Sequence, residues 1–127
     1  MNIKIKKNGF LFLAKNKIKC SIGKNGIKLK KKEGDKATPK GFFSIGKLYY
    51  RKDRVKIDAH SLKKKIIKKN MGWCHDICHK KYNQEIIFKS HQEAEKLYRK
   101  DHRYDIFLVI NSNNFPIKKG LGSAIFL

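Results

Sequence analysis

Cys74-His75-Asp76-Ile77-Cys78-His79 puts two thiols and two imidazoles within six residues, the densest set of reactive side chains in the sequence. Thiolates and imidazoles bind zinc, so the first chemistry to weigh is a Cys2His2 metal site. The spacing argues against it. Structural sites split their ligands into two distant pairs so that the metal closes a loop, and four ligands this crowded rarely all point inward. Cys-x3-Cys-His also misses by one residue the Cys-x2-Cys-His of c-type haem attachment. Cys74 and His75 do not read as a nucleophile and its base either, because adjacent side chains seldom reach the hydrogen bond of about 2.6–3.2 Å such a pair needs. Cys20 alternates with Ile18 and Ile22 and reads as a small buried thiol. The expectation from these residues is no metal, no cofactor and no cysteine catalysis. Three cysteines do not make a paired framework, so they leave the redox compartment open.

A second stretch is built for shape. Lys32-Glu33-Gly34-Asp35-Lys36-Ala37-Thr38-Pro39-Lys40-Gly41-Phe42-Phe43 holds two glycines that tolerate positive φ and a proline that fixes its own φ. Pro39 also pushes Thr38 toward extended geometry. Loops of this kind on a β scaffold carry function or merely close the fold, and the residues alone leave both open.

The elements that must position these residues are mostly strands. Ile3 and Ile5 alternate with Lys4 and Lys6, Asn8-Gly9 signals a type I′ hairpin turn, and Phe10 to Ala14 is the return strand. A turn at 15–17, alternation at Ile18, Cys20 and Ile22, and Asn25-Gly26 complete a β-meander. Phe42 to Tyr50 reads as a strand with Gly46 at a bulge or close approach. Ser61 is placed to cap a short helix through Ile67, and Ser90, with Glu93 three residues on, to cap a second whose inner face is Ala94, Leu97 and Tyr98. Gln84 to Phe88 is a strand, Tyr104 to Ile110 a central buried one, 111–122 a long turn and Ser123 to Leu127 a last apolar strand. With no βαβ alternation, the class is mainly β with one or two short helices, in one domain spanning residues 1–127.

Four stretches also resemble a known family. They are Glu33-Gly34-Asp35-x-x-Thr38-Pro39-x-Gly41-x-Phe43; Cys20-Ser21-Ile22-Gly23-Lys24-Asn25-Gly26-Ile27; Gly72-Trp73-Cys74 with Tyr82-Asn83; and Asp101-His102-Arg103-Tyr104-Asp105 through Gly122-Ser123-Ala124-Ile125-Phe126-Leu127. Together they resemble, in the family's order and over nearly the whole chain, the catalytic domain of L,D-transpeptidases (YkuD-like). The resemblance implies a β-sandwich-like fold with a helix, its C-terminal part missing here. It also implies a cysteine peptidyltransferase that forms 3→3 crosslinks between peptidoglycan stem peptides in the cell envelope or periplasm, without a cofactor. The family's histidine and its Ser/Thr-x-Gly-Cys nucleophile would follow Leu127, so these residues are expected to be inactive alone. The resemblance makes Trp73, Tyr104, Ser112, Asn113, Gly122 and Ser123 the candidate substrate contacts. Ser112 stands where relatives tend to carry histidine or tyrosine.

The chain of 127 residues carries a formal net charge of +22, a field that attracts polyanions. Only four of its 32 basic residues are arginines, Arg51, Arg54, Arg99 and Arg103, which disfavours bidentate reading of phosphate or guanine. A/T-rich coding alone produces abundant Lys, Ile and Asn. An inactive fragment, or a cationic module binding nucleic acid or other anionic polymers without specificity, is therefore the alternative. Gly9 to Ala14 offers six uncharged residues, fewer than the ~7–15 apolar residues of a signal peptide core, and no run approaches the ~18–20 that cross a bilayer. No signal peptide or transmembrane segment is expected.

Overall fold

The computed structural model describes residues 2–30, 32–58, 60–90 and 92–127. The chain divides into two compact units, Met1–Phe42 and Phe43–Leu127. Every regular element among the described residues is a strand.

In the first unit β1 (Ile3–Lys6), β2 (Phe10–Leu13) and β3 (Asn16–Lys19) form the antiparallel meander in that order. Lys6 pairs with Phe10 across a three-residue loop, with Gly9 N–H bonded to Lys6 O at 3.1 Å. Gly9 takes positive φ and Asn8 does not, so the turn is the three-residue type with a glycine bulge, not the type I′ that Asn-Gly suggests. β3 is exposed at all four residues, and Cys20 beyond it is only partly buried, against the buried alternation expected. β4 (Ile27–Lys28) and β5 (Thr38–Pro39) then make a two-residue parallel pair. The shaped loop is held from within: Thr38 Oγ1 accepts from Gly23 N–H at 2.7 Å, and Asp35 pairs with Lys30 at 2.5 Å. Gly23 is dictated by this contact, since a Cβ there would lie 2.5 Å from Lys36 O.

The second unit contains β6 (Ile45–Tyr50), β7 (Lys64–Ile66), β8 (Met71–Cys74), β9 (Glu85–Ile87), β10 (Ala94–Lys96) and β11 (Ile106–Ile110). Its two sheets run β11-β6-β7 and β10-β8-β9, and β6 pairs antiparallel with β11 and parallel with β7. β6 starts at Ile45, later than the Phe42 expected, and Phe42 is fully exposed. The C-terminal residues flank β11 on its other side: Leu108 and Leu127 exchange both backbone hydrogen bonds, and Val109 bridges Phe126. β11 thus has chain on both sides, the central position its apolar run suggests.

Neither expected helix is present among the described residues. Ser61 to Ile67 yields β7, which lies parallel to Leu48–Tyr50 of β6 and inserts Ile67 into the core. Ser90 to Tyr98, apart from His91, which lies outside the described residues, yields β10, paired with Gly72–Cys74. Helices this short recover little of their nucleation cost, whereas joining the edge of an existing sheet pairs at once the backbone groups that face the neighbouring strand. In the extended form Leu97 is fully buried.

Both three-stranded sheets contribute to one core of Tyr49, Ile67, Met71, Trp73, Leu97, Phe107 and Val109, with Tyr104 and Phe126 packed against it. Tyr49 stacks on Phe107 at 5.0 Å between ring centres, and Phe126 meets Trp73 edge to face at 5.2 Å. Among the described residues no helix is long and apolar enough to cross a membrane.

Candidate substrate groove

An open groove of about 840 Å³ runs along the second unit. Tyr49, Trp73, Val109 and Gly46 form its floor, Lys47, Lys63, Lys65 and Glu85 lie along it, and Asn83, Asn111, Asn114 and Phe115 also border it. The β6 bulge borders this surface. Ile45 pairs with Ile110 and Leu48 with Leu108, leaving two residues of β6 opposite Val109. Gly46 sits at the bulge because a Cβ there would lie 2.9 Å from Asn111 Oδ1 and 3.2 Å from Val109 O.

Charge on the floor is arranged around one carboxylate. Glu85 accepts from Tyr49 Oη at 2.8 Å and from Lys65 Nζ at 2.7 Å. Burial pushes the Tyr49 hydroxyl well above its usual range, and the neighbouring Glu85 pushes it further, so Tyr49 stays a hydrogen-bond donor. Lys47 and Lys63 face solvent, and Phe115 is 89% exposed. The groove therefore presents cations, one anion, amides and an apolar lip. Among the described residues no cysteine or histidine lines it.

The groove rests on a polar hub at Asn83, which is 4% exposed and holds a positive φ of 54°. Its Oδ1 accepts from Trp73 Nε1 at 2.9 Å and from Ala124 N–H at 3.1 Å. Its amide donates toward Ser112 O, Asn113 O and Asn114 Oδ1 at 2.9–3.2 Å. Asn113 in turn donates to Lys118 O and Gly122 O, while Gly122 N–H donates to Tyr82 Oη at 2.9 Å. Asn114 donates to Asn111 Oδ1, and Asn111 to Ser44 Oγ at 2.8 Å.

Five of the six candidate contacts meet at or beside this hub. Trp73, Ser112 and Ser123 are buried, and the polar groups of Trp73, Asn113 and Gly122 are engaged within the fold. Of the six, only Trp73 lines the groove. Tyr104 lies apart, donating to Glu95 Oε1 at 2.9 Å with its ring against Phe107 and Phe126. Burial and Glu95 raise its pKa. Sequence reasoning did not select Tyr49, Lys65 and Glu85 as groove residues, because 20 or more residues separate Glu85 from its partners, nor Asn111 and Asn114, which also border the groove. Asn83 was legible as half of the Tyr-Asn pair but not as the hub.

The Cys74–His79 stretch belongs to the β8–β9 connection. Cys74 is buried in β8, and burial raises its thiol pKa, which keeps it protonated. Cys78 is exposed in a turn where Asp76 Oδ1 accepts its N–H at 2.8 Å, and His79 Nδ1 accepts from Lys81 N–H. Among the described residues no three His, Cys, Asp or Glu side chains are grouped to hold a metal ion. No protein-family model, curated protein or solved structure matches the chain.

Proposed function

We propose that this chain is the front part of an L,D-transpeptidase-type catalytic domain with a β-sandwich-like fold, and that the groove receives a peptidoglycan stem peptide at the cell envelope. The observation that carries the reading is the four motif stretches in family order. The complementarity of the groove supports it. A stem peptide brings several carboxylates, which suit Lys47, Lys63 and Lys65, and a free amine, which suits Glu85. In the chemistry the resemblance implies, a cysteine thiolate activated by histidine attacks the diaminopimelate carbonyl and expels the terminal D-alanine. An amine of a second stem then resolves the thioester. In that scheme the groove of this chain supplies the binding surface.

Two measurements test this. Trp73 is the single tryptophan, so its fluorescence should report saturable binding of a tetrapeptide stem, weakened about tenfold by Lys65→Ala or Glu85→Ala. The protein from its source cells should release D-alanine from the same tetrapeptide and carry a mass above 14.9 kDa. A native mass of 14.9 kDa with no tetrapeptide binding would overturn the proposal. A second reading, a cationic module for polyanions, is favoured by one surface of the first unit.

A further inference from the structure

We propose that the face of the β1-β2-β3 sheet carrying Phe10 and Phe12 binds single-stranded nucleic acid. The register makes it one surface: Lys4 and Lys17 lie opposite Phe12, and Lys6 and Lys19 opposite Phe10. Residues directly opposite each other in an antiparallel sheet share a face. Two half-buried rings therefore run down the middle strand between two rows of exposed lysines. Ammonium groups already sit on the rings, with Lys6 Nζ 4.8 Å from the Phe12 centroid and Lys17 Nζ 4.2 Å from that of Phe10. The first acidic residue of the sequence is Glu33, so these strands carry no anion of their own.

Geometry and charge select the ligand. Rings on alternate residues of a strand stand about 6.6–6.8 Å apart, roughly twice the 3.4 Å per nucleotide of a duplex strand. Bases seated on both rings must be unstacked from one another, which a single strand permits and a duplex does not. The polymer must also bring negative charge with every ring-bearing unit, as one phosphate per base does. Lysine is a point charge and phenylalanine has no hydrogen-bonding handle, so the face reads no base edge and binds without sequence preference. The proposal does not depend on the transpeptidase reading, whose groove belongs to the other unit.

The test is fluorescence anisotropy with a labelled oligothymidine of about 12 nucleotides across a salt series. Affinity should fall linearly on a log–log salt plot. Lys4→Gln, Lys6→Gln, Lys17→Gln and Lys19→Gln together should flatten that slope. The same loss of charge at Lys63, Lys64, Lys68 and Lys69 should do so far less. Phe10→Leu with Phe12→Leu should weaken binding at least about tenfold and leave the salt slope and circular dichroism unchanged. Equal effects of the two lysine sets would overturn the proposal. So would equal or tighter binding to a duplex of the same length, or equal affinity for poly-glutamate or purified peptidoglycan. If the leucine variant does not fold, the lysine comparison and the single-strand preference still decide.

Discussion

Asn83→Ala is the sharpest perturbation of the groove's support. The substitution removes the side chain that, among the described residues, accepts from both Trp73 Nε1 and Ala124 N–H, at 2.9 and 3.1 Å. A buried donor left without an acceptor costs about 1–3 kcal/mol. The indole N–H is enclosed and the Ala124 N–H partly open to water, so roughly 2 and 1 kcal/mol are reasonable for the two. Alanine must also hold Asn83's φ of 54°, a region that asparagine tolerates and alanine resists by about 1 kcal/mol. The sum is near 4 kcal/mol, and in a domain of 60–100 residues each kcal/mol lowers Tm by about 4–8 °C. A fall of roughly 15–30 °C should appear in a melt followed by Trp73 fluorescence. Asn83→Gly keeps the hydrogen-bond loss but relieves the φ strain, so it should recover only about 1 kcal/mol. An alanine variant melting within about 3 °C of the parent would refute the hub. Full recovery by glycine would reduce it to a backbone effect.

Three further outcomes follow from the same geometry. Gly46→Ala forces a Cβ to 2.9 Å from Asn111 Oδ1 and should cost about 1–3 kcal/mol in chemical denaturation, whereas an unchanged midpoint would mean the bulge accommodates a side chain. Arg51, Arg99 and Arg54 hold the carboxyls of Asp53, Asp101 and Asp105 below their ordinary 3.8, that of Asp101 at about 2. The unfolded chain therefore takes up these protons first, so their stabilisation is complete well above pH 3.8 and is lost as pH falls toward about 2. Tm measured against pH should drop in that window, less steeply in Asp101→Asn, and a flat profile would contradict the pairing. Glu85→Gln should lower the Tyr49 pKa yet leave it above the ordinary tyrosine value, because burial is the larger cause. Ultraviolet titration read against Tyr49→Phe checks this, and full return to the ordinary value would place the cause in the carboxylate.

Local patterning made much of the fold legible. The period-two alternation of Ile3 to Lys6 and the apolar run ending at Ile110 became strands, and Gly46 became a bulge. What misled was helical spacing over short stretches. Leu62 with Ile66, and Ala94 with Leu97, satisfy a helical stripe, but seven to nine residues do not nucleate a helix when a sheet edge stands ready. The groove was less legible for a different reason. Trp73, Ser112, Asn113, Gly122 and Ser123 come from motifs whose shared work here is internal hydrogen bonding or burial. The Tyr49–Glu85–Lys65 cluster spans separate strands with no local signal.

The two kinds of basic residue divide the labour of the charge. All four arginines lie in the second unit with carboxylate partners. Arg51 forks onto Asp53, donates to Arg99 O and stacks 3.6 Å from the Tyr98 ring centre. Arg54 spans Asp105, Asp101 O and Lys100 O; Arg99 grips Asp101, and Arg103 lies 4.0 Å from Glu95. These planar forks fix the turn after β6 against the turn after β10, a task that depends on bidentate geometry. Their carboxylate partners are then no longer available to offset lysine. The external field is a lysine field, long-ranged and indifferent to geometry, so selectivity for a polyanion must come from a shape that lysine merely borders. The Phe10–Phe12 face has that property, and for this reason loss of the two rings, more than loss of any equal number of surface lysines, should separate recognition from attraction.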